Sequence, residues 1–130
     1  MTVVCAFVPD RLLGTALLAV TAAAPAFAER LPIDGAYGNA EGCEFHRTGR
    51  IVSDMQLLLT PDEVSSFASA CDGLTLAGDK DGVLEVDGLC REEGESGAVK
   101  TRFTISRNPD ATYMVNFDEL SVWGPLGKCP

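Results

Sequence analysis

The sequence predicts a small, mainly β domain, an antiparallel barrel or sandwich of about six to eight strands. Three observations lead there. Glycine and proline, 13 and 7 of the 130 residues, interrupt the chain so often that most apolar stretches are too short for a helix. Val99–Arg107 alternates cleanly, with Val99, Thr101, Phe103 and Ile105 on one side and Lys100, Arg102, Thr104 and Ser106 on the other. That is the period of a half-buried strand. Four of the five cysteines, Cys43, Cys71, Cys90 and Cys129, follow a segment patterned as an export signal. An even cysteine set in a short exported chain marks two disulfides in an oxidising compartment.

The signal occupies residues 1–28. Leu12–Ala24 is an apolar run behind Arg11, Pro25 breaks it, and Ala26-Phe27-Ala28 supplies a small-x-small cleavage pattern. Cleavage after Ala28 leaves residues 29–130 as a single β-rich domain. The rival, a retained anchor, has an apolar run short for a span of ~20 residues. Cys5 precedes the run and is lost with the leader, so it is no lipoprotein acceptor. The expected location is periplasmic or secreted, with no stable membrane insertion after cleavage.

Ile33–Gly38 forms the expected first strand, and the polar stretch Glu44–Asp54 a loop. Met55–Thr60, with its continuous apolar run, is a strand buried on both faces. Thr60-Pro61-Asp62-Glu63 has the form of a helix capping box, and Val64, Phe67, Ala68 and Cys71 follow at helical spacing. One short helical turn is favoured there over a turn with an irregular strand. Leu74–Ala77 and Val83–Cys90 flank the turn GDKDG. After Val99–Arg107, Asn108-Pro109-Asp110 turns the chain, and Tyr113, Val115 and Phe117 alternate again. Leu120, Val122 and Trp123 make a last short strand before Gly124-Pro125.

Hairpin arithmetic ranks the disulfides. A turn centred between Lys80 and Asp81 sets Cys71 opposite Cys90, where α-carbons of paired residues lie ~4.5–5.5 Å apart. Cys43 and Cys129 then tie the first strand to the last. In the chain-entropy model the long loop is worth about 4.6 kcal/mol and the short one about 3.3 kcal/mol. A turn shifted by one residue would put Cys71 and Cys90 on opposite faces. The alternative pairing is 43–71 with 90–129.

The net charge is −9, and loss of Asp10 and Arg11 with the leader leaves it unchanged. Such a balance argues against nucleic acid or an anionic membrane as partner and permits a cationic one, although it also serves solubility alone. No catalytic constellation is legible, and neither a metal nor a cofactor is expected. The one histidine, His46, sits beside Arg47 and near Arg50 in what reads as a solvated loop. Asp79-x-Asp81-Gly82 lacks the third acidic position of a calcium loop, and Gly88 stands where its glutamate belongs. A hairpin turn explains it. The doublets Glu92-Glu93 and Asp118-Glu119 cannot form a glycosidase pair by themselves, since strand neighbours point to opposite faces. Trp123 is the best single anchor for a binding surface, and Glu92 and Glu93 are the carboxylates chosen to join it.

Gly35-x-Tyr37, the four cysteines, Cys90-Arg91-Glu92-Glu93-Gly94 and the terminal Cys129-Pro130 give a layout that resembles small periplasmic disulfide-bonded β-proteins of Gram-negative bacteria. Gly35-x-Tyr37 is also similar to the Gly-x-Trp of lipocalin-like barrels. Periplasmic lysozyme inhibitors share the size and the disulfides, but their Ser-Gly-x-x-Tyr segment is missing here. The resemblance implies fold and compartment only. The leading functional expectation is a non-catalytic exported module, inhibitor-like, that binds a cationic protein. The alternatives are a calycin-like carrier of a small apolar ligand, a structural accessory of an envelope complex, and an enzyme using His46 with carboxylates.

Overall fold

The computed structural model describes residues 22–24 and 29–130. The signal segment, with Cys5 and the Ala26-Phe27-Ala28 site, lies almost wholly outside the described residues. The chain forms β1 (Tyr37–Gly38), α1 (Ala40–Thr48), β2 (Leu57–Leu59), β3 (Val64–Ser66) and β4 (Ser69–Lys80). It continues with β5 (Val83–Glu92), β6 (Val99–Arg107), β7 (Tyr113–Asn116) and β8 (Val122–Lys128). Each strand pairs antiparallel with the next, and β1 pairs with β8 to close an eight-stranded barrel. Of the two architectures expected, the molecule adopts the barrel.

Alternation builds the core. Leu84 and Val86 on β5, Phe103 and Ile105 on β6, and Tyr113 and Val115 on β7 point inward and are buried. Each such side chain contributes ~1.5–3 kcal/mol on leaving water. The expected strand Val99–Arg107 is present at those bounds. The expected first strand is not: only Tyr37 and Gly38 pair, while residues 29–36 cross one end of the barrel. There the Glu29 carbonyl accepts the Leu76 N–H at 3.1 Å, Arg30 pairs with Asp62 at 2.8 Å, and Leu31 and Ile33 drop into the core. This segment plugs the end that carries the β2–β3, β4–β5 and β6–β7 connections.

Two local expectations are corrected. The stretch expected as a loop over 44–54 begins inside α1. Asn39 caps that helix, its Oδ1 accepting the Gly42 N–H at 2.8 Å, and Gly49 ends it at φ 69°. Gly42 is the helix's single buried residue, because α1 lies flat on the Leu57 carbonyl, where a Cβ on Gly42 would sit 1.8 Å from the oxygen. The segment expected as a helical turn after Pro61 is instead β3 and the start of β4. Thr60 does cap, its Oγ1 accepting the N–H of Asp62 and Glu63. However, Val64 and Cys71 are partners across a hairpin, not successive turns of one helix.

The disulfides are Cys43–Cys129 and Cys71–Cys90, with α-carbons 5.2 and 4.0 Å apart. The preferred pairing is correct, but its hairpin geometry needs revising. Lys80 pairs with Val83, so the turn is Asp81-Gly82, one residue beyond the expected centre. Both residues have positive φ, 55° and 80°, as a two-residue primed turn requires. Register shifts between Asp72 and Thr75 and between Leu76 and Gly78 each insert one residue into β4 and restore Cys71 opposite Cys90. The last strand runs past Gly124-Pro125 to Lys128. A register shift opposite Met114 accommodates the proline, since a bulge spares the ladder bond it cannot make.

Candidate functional site

Strand direction alternates, so the β3–β4, β5–β6 and β7–β8 hairpin loops gather at the end of the barrel opposite the plug, where the longer β1–β2 connection that carries α1 also begins. That end is open. A cavity of about 380 Å³ enters it, walled by the Cys71–Cys90 disulfide, Thr101, Phe117 and Trp123. Polar groups from Ser69, Glu92, Asp118 and Ser121 complete it. The volume lies within the range of small-ligand pockets.

An aromatic run leads from the core to the mouth. The ring of Phe103, fully buried, lies 4.9 Å from that of Phe117, which meets Trp123 edge-on at 4.8 Å and 64°. Edge-to-face contact is a favoured arrangement of two rings. Trp123, half-buried, therefore leans on the core through Phe117 and lines the cavity. Around the rim, Phe67 is 44% exposed, Val99 65% and Leu120 96%. Three large apolar side chains ring the opening.

Each of the two carboxylates in the cavity is anchored through one oxygen. Glu92 Oε2 accepts the Ser69 hydroxyl. Asp118 Oδ1 accepts the backbone N–H of Leu120 at 2.8 Å and of Ser121 at 2.7 Å. Those amides, Leu120 first and then Ser121, hold the Asp118 carboxyl below the ordinary carboxylate range. Neither carboxylate forms an ion pair among the described residues, and the Ser121 side chain adds to the hold on Asp118.

Three basic side chains are paired with other carboxylates. Arg91 pairs with Asp72 at 2.9 Å, Arg102 grips Asp87 through two bonds of 2.9 Å, and Lys128 meets Asp34 at 2.9 Å. The three hairpin loops at the open end carry Glu93, Glu95, Asp118 and Glu119 and no lysine, arginine or histidine. The opening is acidic as well as apolar.

Of the residues singled out from sequence, Trp123 and Glu92 meet in this cavity. Glu93 does not line it; its backbone N–H donates to the Ala68 carbonyl at 2.7 Å. Phe117, Asp118 and Ser69 are not among the site residues the sequence predicts, and no local motif marks them. Their meeting depends on closure of the barrel. One member of each acidic doublet thus reaches a shared cavity, which neither doublet manages alone. Asp118 is shifted downward, away from the raised value a glycosidase acid needs. His46 lies on α1, away from this mouth, in a groove with Gly127, Lys128 and Pro130. Among the described residues no group of three or more His, Cys, Asp or Glu is placed to hold a metal ion, and no helix is long and apolar enough to cross a membrane. Asp79 and Asp81 belong to the β4–β5 hairpin and its turn.

No family model, no curated protein and no solved structure matches this chain.

Proposed function

We propose that this protein is a non-catalytic binding module of the periplasm or the extracellular space, and that its partner is a cationic protein. One observation carries the reading: the open end joins a supported tryptophan, an exposed apolar rim and carboxylates that no basic side chain among the described residues neutralises. Aromatic anchors in partly desolvated pockets are where interfaces concentrate their energy. Unpaired acidic charge steers a basic partner and selects against an acidic one. Two disulfides support an oxidising compartment, in line with the resemblance of the sequence to small periplasmic β-proteins.

The test is capture from a periplasmic extract with immobilised protein at low and high salt, beside a Phe67→Ser/Leu120→Ser variant. A bound protein that elutes with salt and is lost with the rim variant supports the reading. Capture indifferent to ionic strength and to the rim overturns it.

A second reading, a carrier of a small ligand, is favoured by the size of the cavity itself. Solvent extraction of the purified native protein followed by mass spectrometry separates the two. A stoichiometric small molecule supports the carrier.

A further inference from the structure

We propose that the cavity at the open end is a receptor for a single arginine side chain presented by the protein partner. The inference rests on the binding-module reading and deepens it by naming the group recognised.

Glu92 and Asp118 are each anchored to the protein through one oxygen, and among the described residues neither is paired with a basic side chain. The anchored oxygens restrain both carboxylates, so less rotamer freedom is lost on binding. Phe117 and Trp123 line the same cavity, with their rings in edge-on contact. A cation is therefore attracted twice, by carboxylate charge and by the ring quadrupole.

The same geometry selects among cations. A guanidinium is flat, stacks on aromatic rings and offers several N–H donors in a fixed fork. An ammonium is a compact, strongly hydrated point charge that gains less from a flat wall. About 380 Å³ equals the space of roughly a dozen waters at ~30 Å³ each, enough for one long side chain with residual water. The plug of Leu31 and Ile33 buries the far end in the core, so a side chain enters from the mouth and stops. The apolar rim of Phe67, Val99 and Leu120 then meets the residues that flank the arginine.

Trp123 is the single tryptophan of the chain and reports directly on occupancy. The probes are three short peptides, identical except that alternate positions carry arginine, lysine or the uncharged isostere citrulline. The variant is Glu92→Gln/Asp118→Asn, in which the amide oxygens still accept the Ser69 and backbone bonds but the charge is gone. Expected is a saturable change in Trp123 emission with the arginine peptide, several-fold weaker binding of the lysine peptide, and none with citrulline. The double variant, folded by circular dichroism, binds the arginine peptide more weakly on the order of tenfold.

Equal binding of the citrulline peptide overturns the inference and leaves the binding module standing. So does partner capture that the double variant retains in full. Arginine binding without any captured protein keeps the receptor and overturns the protein-partner reading. Failure of the arginine and lysine peptides together with failure of capture removes both readings.

Discussion

Tyr37 and Lys128 are register partners across the β1–β8 seam that closes the barrel, and both bond the carboxylate of Asp34. The seam is short, since β1 has only two residues, and this side-chain clasp reinforces it. The Tyr37 hydroxyl first, and then Lys128, hold the Asp34 carboxyl down to about 2. The bond to Asp34 in turn pushes the buried Tyr37 phenol up.

The clasp sets a pH dependence with a definite sign. A depressed carboxylate favours the folded state above its unfolded value of about 3.9. That contribution is lost as pH falls from about 4 to about 2. Asp34→Asn is therefore expected to be less stable than the parent at pH 7, with the gap closing by about pH 2 in urea melts. The Tyr37 titration, followed by ultraviolet absorbance, moves down toward about 10 in the variant. An unchanged phenol titration counts against the clasp.

Helix α1 is seated by two small residues. Asn39 Oδ1 accepts from Gly42 and from the Leu57 N–H at 2.9 Å, while its Nδ2 donates to Met55 at 2.6 Å. Asn39→Ala is expected to cost about 2 kcal/mol, the upper end for a lost cap. Gly42→Ala drives a Cβ into the Leu57 carbonyl and is expected to cost about 3 kcal/mol, the upper end for overpacking. Equilibrium denaturation measures both. A neutral Gly42→Ala would mean that the helix does not lie on β2.

The two disulfides are expected to differ in what they support. Cys43→Ser/Cys129→Ser opens the longer loop and costs up to about 4.6 kcal/mol, against about 3.3 kcal/mol for Cys71→Ser/Cys90→Ser. Only the second pair walls the open cavity. Loss of Cys71–Cys90 is therefore expected to weaken the Trp123 response to the arginine peptide. Loss of Cys43–Cys129 leaves that response intact at temperatures where the variant is folded.

Phe103 links the core to the mouth through Phe117. Phe103→Ala is expected to cost about 3–5 kcal/mol and to change Trp123 emission, because Phe117 loses its backing. Emission identical to the parent in the folded variant would deny that the aromatic run is continuous.

Much of the barrel was legible because alternation is a local signal. Val99–Arg107 and the inward set Tyr113 and Val115 follow directly from it. Helix α1 was not, because only Gly42 is buried and the segment shows no apolar stripe. Its signals were the cap Asn39, the terminal Gly49 and the basic last turn of His46 and Arg47. The helix expected after Pro61 failed for the converse reason. Val64, Phe67, Ala68 and Cys71 fit a helical period, yet the same spacing suits two strands joined by the turn Phe67-Ala68. Trp123 and Glu92 stand out in the sequence singly, each for its chemistry. Only closure of the sheet shows that they share a cavity with Phe117 and Asp118.

The bond between Cys43 and Cys129 spans nearly the whole folded domain. A protease that cuts the backbone once, anywhere between those two positions, leaves both fragments covalently joined. The exposed tip at Glu93–Ala98 is thus a place where the polypeptide tolerates nicking without falling apart. Such damage shows only on a reducing gel, while the unreduced molecule migrates as one piece.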